Sequence, residues 1–269
     1  MLKALHEAKL HTSWVNPDPT YDEAVQHYVG QILDAQTNEA FLDDFRAFQR
    51  RVSHYGLFNS LAQTLLKITS PGVPDTYQGT EIWDFSLVDP DNRRPVDYTR
   101  RLRMLQQLQA SVAAAGEDRR ALAQQLLRKK EDGSIKLYIT WLALNWRRTH
   151  PGLFSVGDYL PTQAIGAKRE HVFAFTRCRG ADAAIVVAPR LLARLLLEEQ
   201  DRPLGEVAWQ DTRVLLEGVD PHQEWRHLFT GEPVTLMVQE GGPSLAIAEV
   251  LRHFPVALLV AGEERGDGV

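Results

Sequence analysis

Apolar residues recur every three or four positions through residues 1–70 and again through residues 97–148. This spacing is typical of amphipathic helices, because it places the apolar side chains on one face. Thr20 and Glu23 form a predicted capping box at the start of one helix, and Gly56 is predicted to separate two others. The first half of the chain is therefore predicted to be largely helical.

Beyond residue 150 the pattern changes to short apolar or alternating runs separated by turns, which is typical of β-strands. We expect strands at residues 171–176, 183–188, 213–216, 228–229, 235–238, 245–250 and 256–260. A helical excursion is expected at residues 191–199 and a flexible tail at 262–269. Together these elements predict an α+β fold in which a helical region precedes an antiparallel β-sandwich.

The composition excludes several classes of protein. The 269 residues include 30 lysines and arginines against 35 aspartates and glutamates, a net charge of −5, whereas general nucleic-acid binders usually carry a basic excess. No window approaches the roughly 18 apolar residues of a membrane span, and the N-terminal residues do not form a signal peptide. The single cysteine, Cys178, cannot form an intrachain disulfide, which favours a reducing compartment and a cytoplasmic location. We therefore expect no nucleic-acid partner and no membrane.

The irregular segment 71–96 contains the densest group of candidate functional residues. Proline, glycine, aspartate and asparagine are frequent there, and helical or strand periodicity is absent. Carboxylates and arginines can hydrogen-bond to sugar hydroxyls, and aromatic rings can stack on sugar rings. Two carboxylates are also what a glycosidase uses as acid and nucleophile. The alternative is a solvated surface loop held by aspartate–arginine pairs.

Three motifs lie in or before this segment: Tyr77-Gln78-Gly79-Thr80-Glu81, Asp89-Pro90-Asp91-Asn92-Arg93-Arg94-Pro95, and Lys9-Leu10-His11-Thr12-Ser13-Trp14-Val15-Asn16-Pro17. The first two are similar to the region around the last barrel strand of the α-amylase clan of glycoside hydrolases. The third narrows the resemblance to the maltooligosyl trehalose synthase family. The resemblance is strong over residues 1–100, looser over 135–180 and faint beyond about 190.

The resemblance implies an isomerase that converts the reducing-end α-1,4 bond of a maltooligosaccharide into the α,α-1,1 bond of trehalose. The chemistry is that of a retaining glycosidase, with an aspartate nucleophile, a glutamate acid/base and a further aspartate. In the family, the motifs that carry these carboxylates precede the Lys-x-His-Thr-Ser-Trp segment, and nothing in residues 1–70 matches them. We therefore expect a C-terminal portion with no catalytic residue, which is inactive alone.

The resemblance also implies a domain organisation. Residues 1–149 would form a helical region that includes the end of a (β/α)₈ barrel, with the last strand at about 72–79 and its loop at 80–96. Residues 150–261 would form the β domain. An isolated last strand has unpaired edges, so we expect residues 72–79 to be extended and exposed, disordered, or paired with a second copy. Exposed apolar surface also suggests a homo-oligomer.

In the intact enzyme, the loop after the last barrel strand would face the active site. The candidate substrate-binding residues are Tyr77, Gln78, Glu81, Trp83, Asp89, Asp91, Asn92, Arg93 and Arg94, with maltooligosaccharide as the partner and no metal or cofactor. Two other functions are open: a non-catalytic glucan-binding or scaffold module, and a piece of another amylase-clan hydrolase or glucosyltransferase. The Lys9-to-Pro17 motif disfavours the latter, since it is typical of the synthase family.

Overall fold

The computed structural model describes residues 1–87, 89, 91–196, 201–239 and 242–261. The tail predicted at 262–269 lies outside this range, as does the end of the segment predicted to be helical at 191–199. The described residues form two compact units, residues 1–54 and the described part of residues 55–261.

The first unit contains helices α1 (Leu2–Ala8), α2 (Pro19–Ile32) and the start of α3 (Glu39–Thr69). The capping box predicted from Thr20 and Glu23 is wrong: the N-cap of α2 is Asp18, whose carboxylate accepts a hydrogen bond from the Tyr21 amide at 3.0 Å. Pro19 then occupies the first helical position, where its missing N–H costs nothing.

Helix α3 runs without a break through Gly56, so the predicted division into two helices is also wrong. Phe58, Leu61 and Leu65, which follow the glycine, are fully buried. Burial of this apolar face outweighs the roughly 1 kcal/mol that a glycine costs in a helix interior.

The second unit continues with four more helices before its strands: α4 (Tyr98–Ala115), α5 (Arg120–Arg128), α6 (Ser134–Thr149) and α7 (Pro151–Ser155). Helix α6 is the most deeply buried of them, with Ile135, Tyr138, Ile139 and Ala143 fully enclosed. Its core position follows from apolar residues on more than one face.

Two antiparallel sheets follow. The strands are β1 (Asp158–Pro161), β2 (Gln163–Ile165), β3 (Val172–Arg179), β4 (Asp182–Pro189), β5 (Arg213–Leu215), β6 (Trp225–His227), β7 (Pro233–Val234), β8 (Met237–Gln239), β9 (Gly242–Ala246) and β10 (Ala257–Ala261). One sheet has the order β1-β3-β4-β10-β6-β7 and the other β2-β5-β9-β8. Short helices α8 (Leu192–Leu195), α9 (Gly205–Trp209) and α10 (Ile247–Val250) connect the strands. The described chain is thus a mixed α and β structure with antiparallel sheets, as predicted.

Several strand predictions need correction. The strand predicted at 245–250 divides into the end of β9 and helix α10, because the Ile247 amide bonds the Thr212 carbonyl and a helical turn follows. The strand predicted at 228–229 lies at Trp225–His227 instead. Residues 72–79, expected to be exposed or paired with a second copy when the last barrel strand is isolated, form no strand with the described residues; they are irregular and mostly exposed. A parallel strand needs a neighbour for its hydrogen bonds, and the described residues offer none there.

Candidate functional site

The candidate loop begins where α3 ends and returns to the helices at α4. Tyr77 and Gln78 are exposed near its start, with 46% of the Tyr77 side chain accessible. The Tyr77 carbonyl accepts hydrogen bonds from the amide and the hydroxyl of Thr80, at 3.2 and 2.7 Å. This turn leaves both side chains exposed to solvent.

Glu81 is held from α4. Its carboxylate accepts a 2.9 Å hydrogen bond from Nε of Arg101, whose Nη2 donates to the Gly79 carbonyl at 2.7 Å. Gly79 has a φ of +90° and a Cβ there would meet Val96 at 3.3 Å, so the turn requires glycine. Because Arg101 binds both the Glu81 carboxylate and the Gly79 carbonyl, Glu81 helps to fix the shape of the loop.

Trp83 is likewise anchored. Its indole N–H donates to the Lys130 carbonyl at 2.7 Å, and the Lys136 ammonium lies 5.6 Å from the ring centre. Lys136 also donates to the Ile82 carbonyl at 3.2 Å. Burial, followed by the like charge of Lys67, lowers the pKa of Lys136. The ring is half-buried, so only part of it is available for stacking.

The second half of the loop contains two ion pairs, Arg93 with Asp89 and Arg94 with Asp91. The Asp91 carboxylate also accepts a 2.7 Å hydrogen bond from the Leu87 amide. Both arginine side chains are largely exposed, 69% for Arg93 and 77% for Arg94. The pairs hold the loop and at the same time display guanidinium groups at its surface.

Asn92 lies between these pairs, in a 3₁₀ turn at Asp91–Arg93. Its Oδ1 atom is buried and has no hydrogen-bond partner among the residues the structure describes.

Hydrogen bonds from the side chain and amide of Ser86 lower the pKa of Asp84. Each loop carboxylate named here is thus engaged by a protein donor.

The structure therefore divides the nine predicted residues into two groups. Glu81 and Trp83 point back to α4, to α6 and to the turn before α6. Tyr77, Gln78, Asp89, Arg93 and Arg94 are exposed on the loop, whereas Asp91 and Asn92 are partly buried. Phe85, an aromatic residue of the same segment that is not among the nine, is also exposed on the loop, with 82% of its side chain accessible. The sequence carries a signal for this, since Phe85 is an apolar residue within an otherwise polar loop.

The Lys9-to-Pro17 motif forms a turn between α1 and α2. Trp14 donates its indole N–H to Glu7 at 3.1 Å and lies edge-on to His6, with the ring centres 4.5 Å apart. His6 pairs with Asp22 at 2.7 Å, and both are buried. The contacts of Trp14 hold the turn, although 59% of its side chain stays accessible.

A cavity of about 760 Å³ lies beside strands β6 and β7, a volume within the range of small-molecule sites. Its lining includes Glu117, Glu224, Trp225 and Arg226. Arg226 pairs with Glu117 at 3.4 Å. The cavity is therefore polar and is distinct from the loop.

The described residues contain neither a cluster of metal-binding side chains nor a membrane-spanning helix. No three or more histidine, cysteine, aspartate or glutamate side chains come together as a metal site. In the same part of the chain, no helix has both the length and the apolarity needed to cross a bilayer.

Comparisons with known proteins agree with one another. The structure of maltooligosyltrehalose synthase from Arthrobacter ramosus matches with a TM-score of 0.71 and 32% identity over 97% of this chain. A Sulfolobus tokodaii protein described as a hypothetical maltooligosyl trehalose synthase matches with a TM-score of 0.60 and 26% identity over 96%. A curated Mycobacterium tuberculosis protein, provisionally named maltooligosyl trehalose synthase, is 36% identical over 246 residues, or 88% of this chain. No protein-family model matches the chain.

The coverage is unequal. The match spans 29% of the Arthrobacter chain and 27% of the Mycobacterium protein, so this chain covers about a quarter of its curated relative. The helices and antiparallel sheets of this chain thus have the fold of one segment of these longer proteins. The chain belongs to the maltooligosyl trehalose synthase family, which confirms the resemblance predicted from its motifs.

Proposed function

We propose that this chain forms the C-terminal portion of a maltooligosyl trehalose synthase, which converts the reducing-end α-1,4 bond of a maltooligosaccharide into an α,α-1,1 bond. The observation that carries the proposal is homology along nearly the whole chain, at 32% and 36% identity to two relatives. In this proposal residues 1–149 contain the end of a (β/α)₈ barrel, and residues 150–261 form a β-sandwich. The cytoplasm is the proposed location, because Cys178 is a free thiol.

The loop at residues 71–96 would form one wall of the sugar site. Exposed Tyr77 offers a ring face for a glucose unit. Arg93 and Arg94 can share their donors between the paired carboxylates and sugar hydroxyls, since a guanidinium has five N–H groups. Substrate contact is proposed for Tyr77, Gln78, Asp89, Asp91, Asn92, Arg93 and Arg94, while Glu81 and Trp83 hold the wall in place.

A polypeptide of these 269 residues is expected to bind substrate without turnover. Cleavage of a glycosidic bond needs a carboxylic acid with a raised pKa beside a nucleophile. Asp84 has a lowered pKa instead, and Glu81 is paired with Arg101. Binding residues without acid and nucleophile leave the barrier to bond cleavage unchanged.

Incubation of the chain with maltopentaose tests this directly. We expect no loss of reducing ends, with the Arthrobacter ramosus enzyme as the positive control. Formation of a non-reducing product by the chain alone would overturn the proposal that its catalytic carboxylates lie elsewhere.

Calorimetric titration with maltopentaose tests the wall. Removal of a charged hydrogen bond costs roughly 1.5–3 kcal/mol, so Arg93→Ala is expected to weaken binding by about tenfold or more. Arg128→Ala, an exposed arginine at the end of α5, is the matched control and should bind like the wild type. Equal affinities for Arg93→Ala and the control would exclude Arg93 from the site.

The β-domain cavity favours a second candidate, a non-catalytic glucan-binding module. Arg226→Gln removes the charge of the arginine that pairs with Glu117 at this cavity. If it abolishes maltopentaose binding while Arg93→Ala does not, the chain binds glucan through the cavity. The reverse pattern supports the loop.

A further inference from the structure

Two arginines from different elements meet at the point where α3 leads into the candidate loop. Arg147, on α6, donates from Nη1 to the Ile68 carbonyl at 2.7 Å and from Nη2 to the Gly72 carbonyl at 2.6 Å. Ile68 belongs to the last turn of α3, and Gly72 is a loop residue with a φ of +100°. One planar guanidinium therefore fixes the direction in which the chain leaves the helix.

Arg177, on β3, binds the same helix end from the β domain. Its Nη1 donates to the Thr69 carbonyl at 3.2 Å. Its Nε and Nη2 donate to four further carbonyls, those of Asp158, Leu153, Phe154 and Gly157, at 2.9–3.2 Å. The side chain is buried, with 1% exposed, and all five of these partners are backbone carbonyls.

A helix C-terminus presents carbonyl groups without intrahelical donors and carries partial negative charge. In α3 the Leu66 carbonyl accepts from the Ser70 amide, and the two arginines supply donors for the carbonyls of Ile68 and Thr69 in the last turn of the helix. Both guanidinium groups lie near the Phe154 ring, at 4.8 Å for Arg147 and 5.7 Å for Arg177. Burial lowers the pKa of each arginine, yet both stay charged because the reference pKa is so high.

We infer that Arg147 and Arg177 are positioning residues for the candidate sugar loop, and that the β domain acts on the loop through Arg177. The inference deepens the proposed function and rests on it for the identity of the ligand. The Arg147 guanidinium ties Gly72, at the start of the loop, to α6, and the Arg177 guanidinium ties Thr69, the last residue of α3, to β3. We therefore expect the orientation of Tyr77 and Gln78 to depend on both. This assigns to the β domain a role in shaping the loop.

Hydrogen–deuterium exchange of the whole chain tests positioning without any sugar. Arg147→Ala and Arg147→Lys are both measured, because lysine keeps the charge but has one ammonium for two carbonyls. We expect exchange of the peptide covering residues 70–82 to rise about tenfold in Arg147→Ala and less in Arg147→Lys. Exchange of residues 182–189, in β4, should not change. Arg148→Ala, an exposed neighbour on the same helix, is the matched control.

Arg177→Lys provides an independent variant, and we expect it to raise exchange in residues 70–82 and also around α7. Unchanged exchange in residues 70–82 of the Arg147 variants would overturn the inference. Exchange that rises equally in β4 would also overturn it, because the arginine would then act only on global stability.

Maltopentaose titration of the same proteins separates the two proposals. If the wild type binds, Arg147→Ala is expected to bind about tenfold more weakly, and unchanged affinity would overturn the inference that positioning matters for the ligand. If the wild type does not bind, the proposed function of the loop fails, and the exchange measurement still decides whether the arginines position it.

Discussion

At the scale of single residues, one buried histidine makes the stability of the protein depend on pH. His227, at the end of β6, is 1% exposed, and its Nδ1 accepts a 3.2 Å hydrogen bond from the Phe229 amide. Nε2 is buried without a partner among the described residues. Burial lowers the pKa of His227 to about 3, so the folded protein holds this ring neutral.

We expect the free energy of unfolding to fall as the pH drops below the ordinary histidine pKa of 6.5. Between pH 6.5 and 3 the unfolded chain binds a proton at His227 that the folded chain does not, so stability decreases by up to about 1.4 kcal/mol per pH unit. The wild type should thus lose about 2 kcal/mol from this residue between pH 7.5 and 5.

Urea unfolding of the wild type and His227→Asn at both pH values measures this term. Asparagine keeps an acceptor for the Phe229 amide and cannot titrate. The variant should lose about 2 kcal/mol less than the wild type over the same interval. Equal losses of unfolding free energy in the two proteins would show that His227 does not cause the pH dependence.

Tyr138 allows a second test at this scale. Its hydroxyl donates a 2.6 Å hydrogen bond to the Phe229 carbonyl inside the core, and burial raises its pKa to about 12. Tyr138→Phe leaves that carbonyl unsatisfied, so we expect a loss of about 1–2 kcal/mol in thermal or urea unfolding. Tyr159→Phe, at a partly exposed position, should change stability by less than about 0.5 kcal/mol. Similar effects of the two substitutions would contradict this explanation.

At the scale of elements, α3 shows how burial outweighs local preference. Gly56 lies in open space within the helix, where an added Cβ meets nothing within 4 Å. Gly56→Ala is therefore expected to stabilise the protein by about 0.5–1 kcal/mol, because alanine has less backbone freedom to lose. Urea unfolding measures the change.

Gly231→Ala gives the opposite sign and serves as the contrast. Gly231 has a φ of +75°, and a Cβ there would lie 1.7 Å from the Glu117 carbonyl oxygen. Since that neighbour is backbone, we expect a loss of about 2 kcal/mol or more. If Gly56→Ala instead lowers the free energy of unfolding, helix α3 requires glycine at position 56.

The helices and strands also show how much of the fold could be predicted from the sequence. The continuous apolar run of β4 predicted its central place in a sheet, since it is buried on both faces. The apolar run at 245–250 did not distinguish a strand from a helical turn, because apolar residues at positions 247 and 250 are compatible with both. Asp18 was overlooked as a cap because Thr20 and Glu23 matched the capping-box pattern.

For the candidate site, composition was enough to identify the loop but not its contacts. Glu81 pairs with Arg101, twenty positions along the chain, and Trp83 bonds to the Lys130 carbonyl, 47 positions away. No local pattern encodes such partners, since only the packing of α4 and α6 brings them together. Sequence therefore named the residues without separating those that hold the loop from those that are exposed on it.

At the scale of the whole molecule, the first unit has an apolar stripe at the start of α3 that stays exposed. Phe41, Phe45, Phe48 and Val52 are between 47% and 64% accessible, and the rings of Phe41 and Phe45 stack with centres 5.9 Å apart. Contiguous exposed apolar surface of this kind marks an interaction site in a soluble protein. We propose that a second copy of the chain covers it.

Light scattering across a dilution series tests self-association through this stripe. We expect the molar mass of the wild type to rise with concentration, whereas Phe41→Gln with Phe45→Gln stays monomeric. Each buried phenylalanine contributes about 1.5–3 kcal/mol, so the double substitution should weaken association by well over about tenfold. Arg50→Gln, about half a turn around the helix from Phe41, is the control and should associate like the wild type. A wild type that stays monomeric at every concentration would exclude the stripe as an interface between copies of the chain.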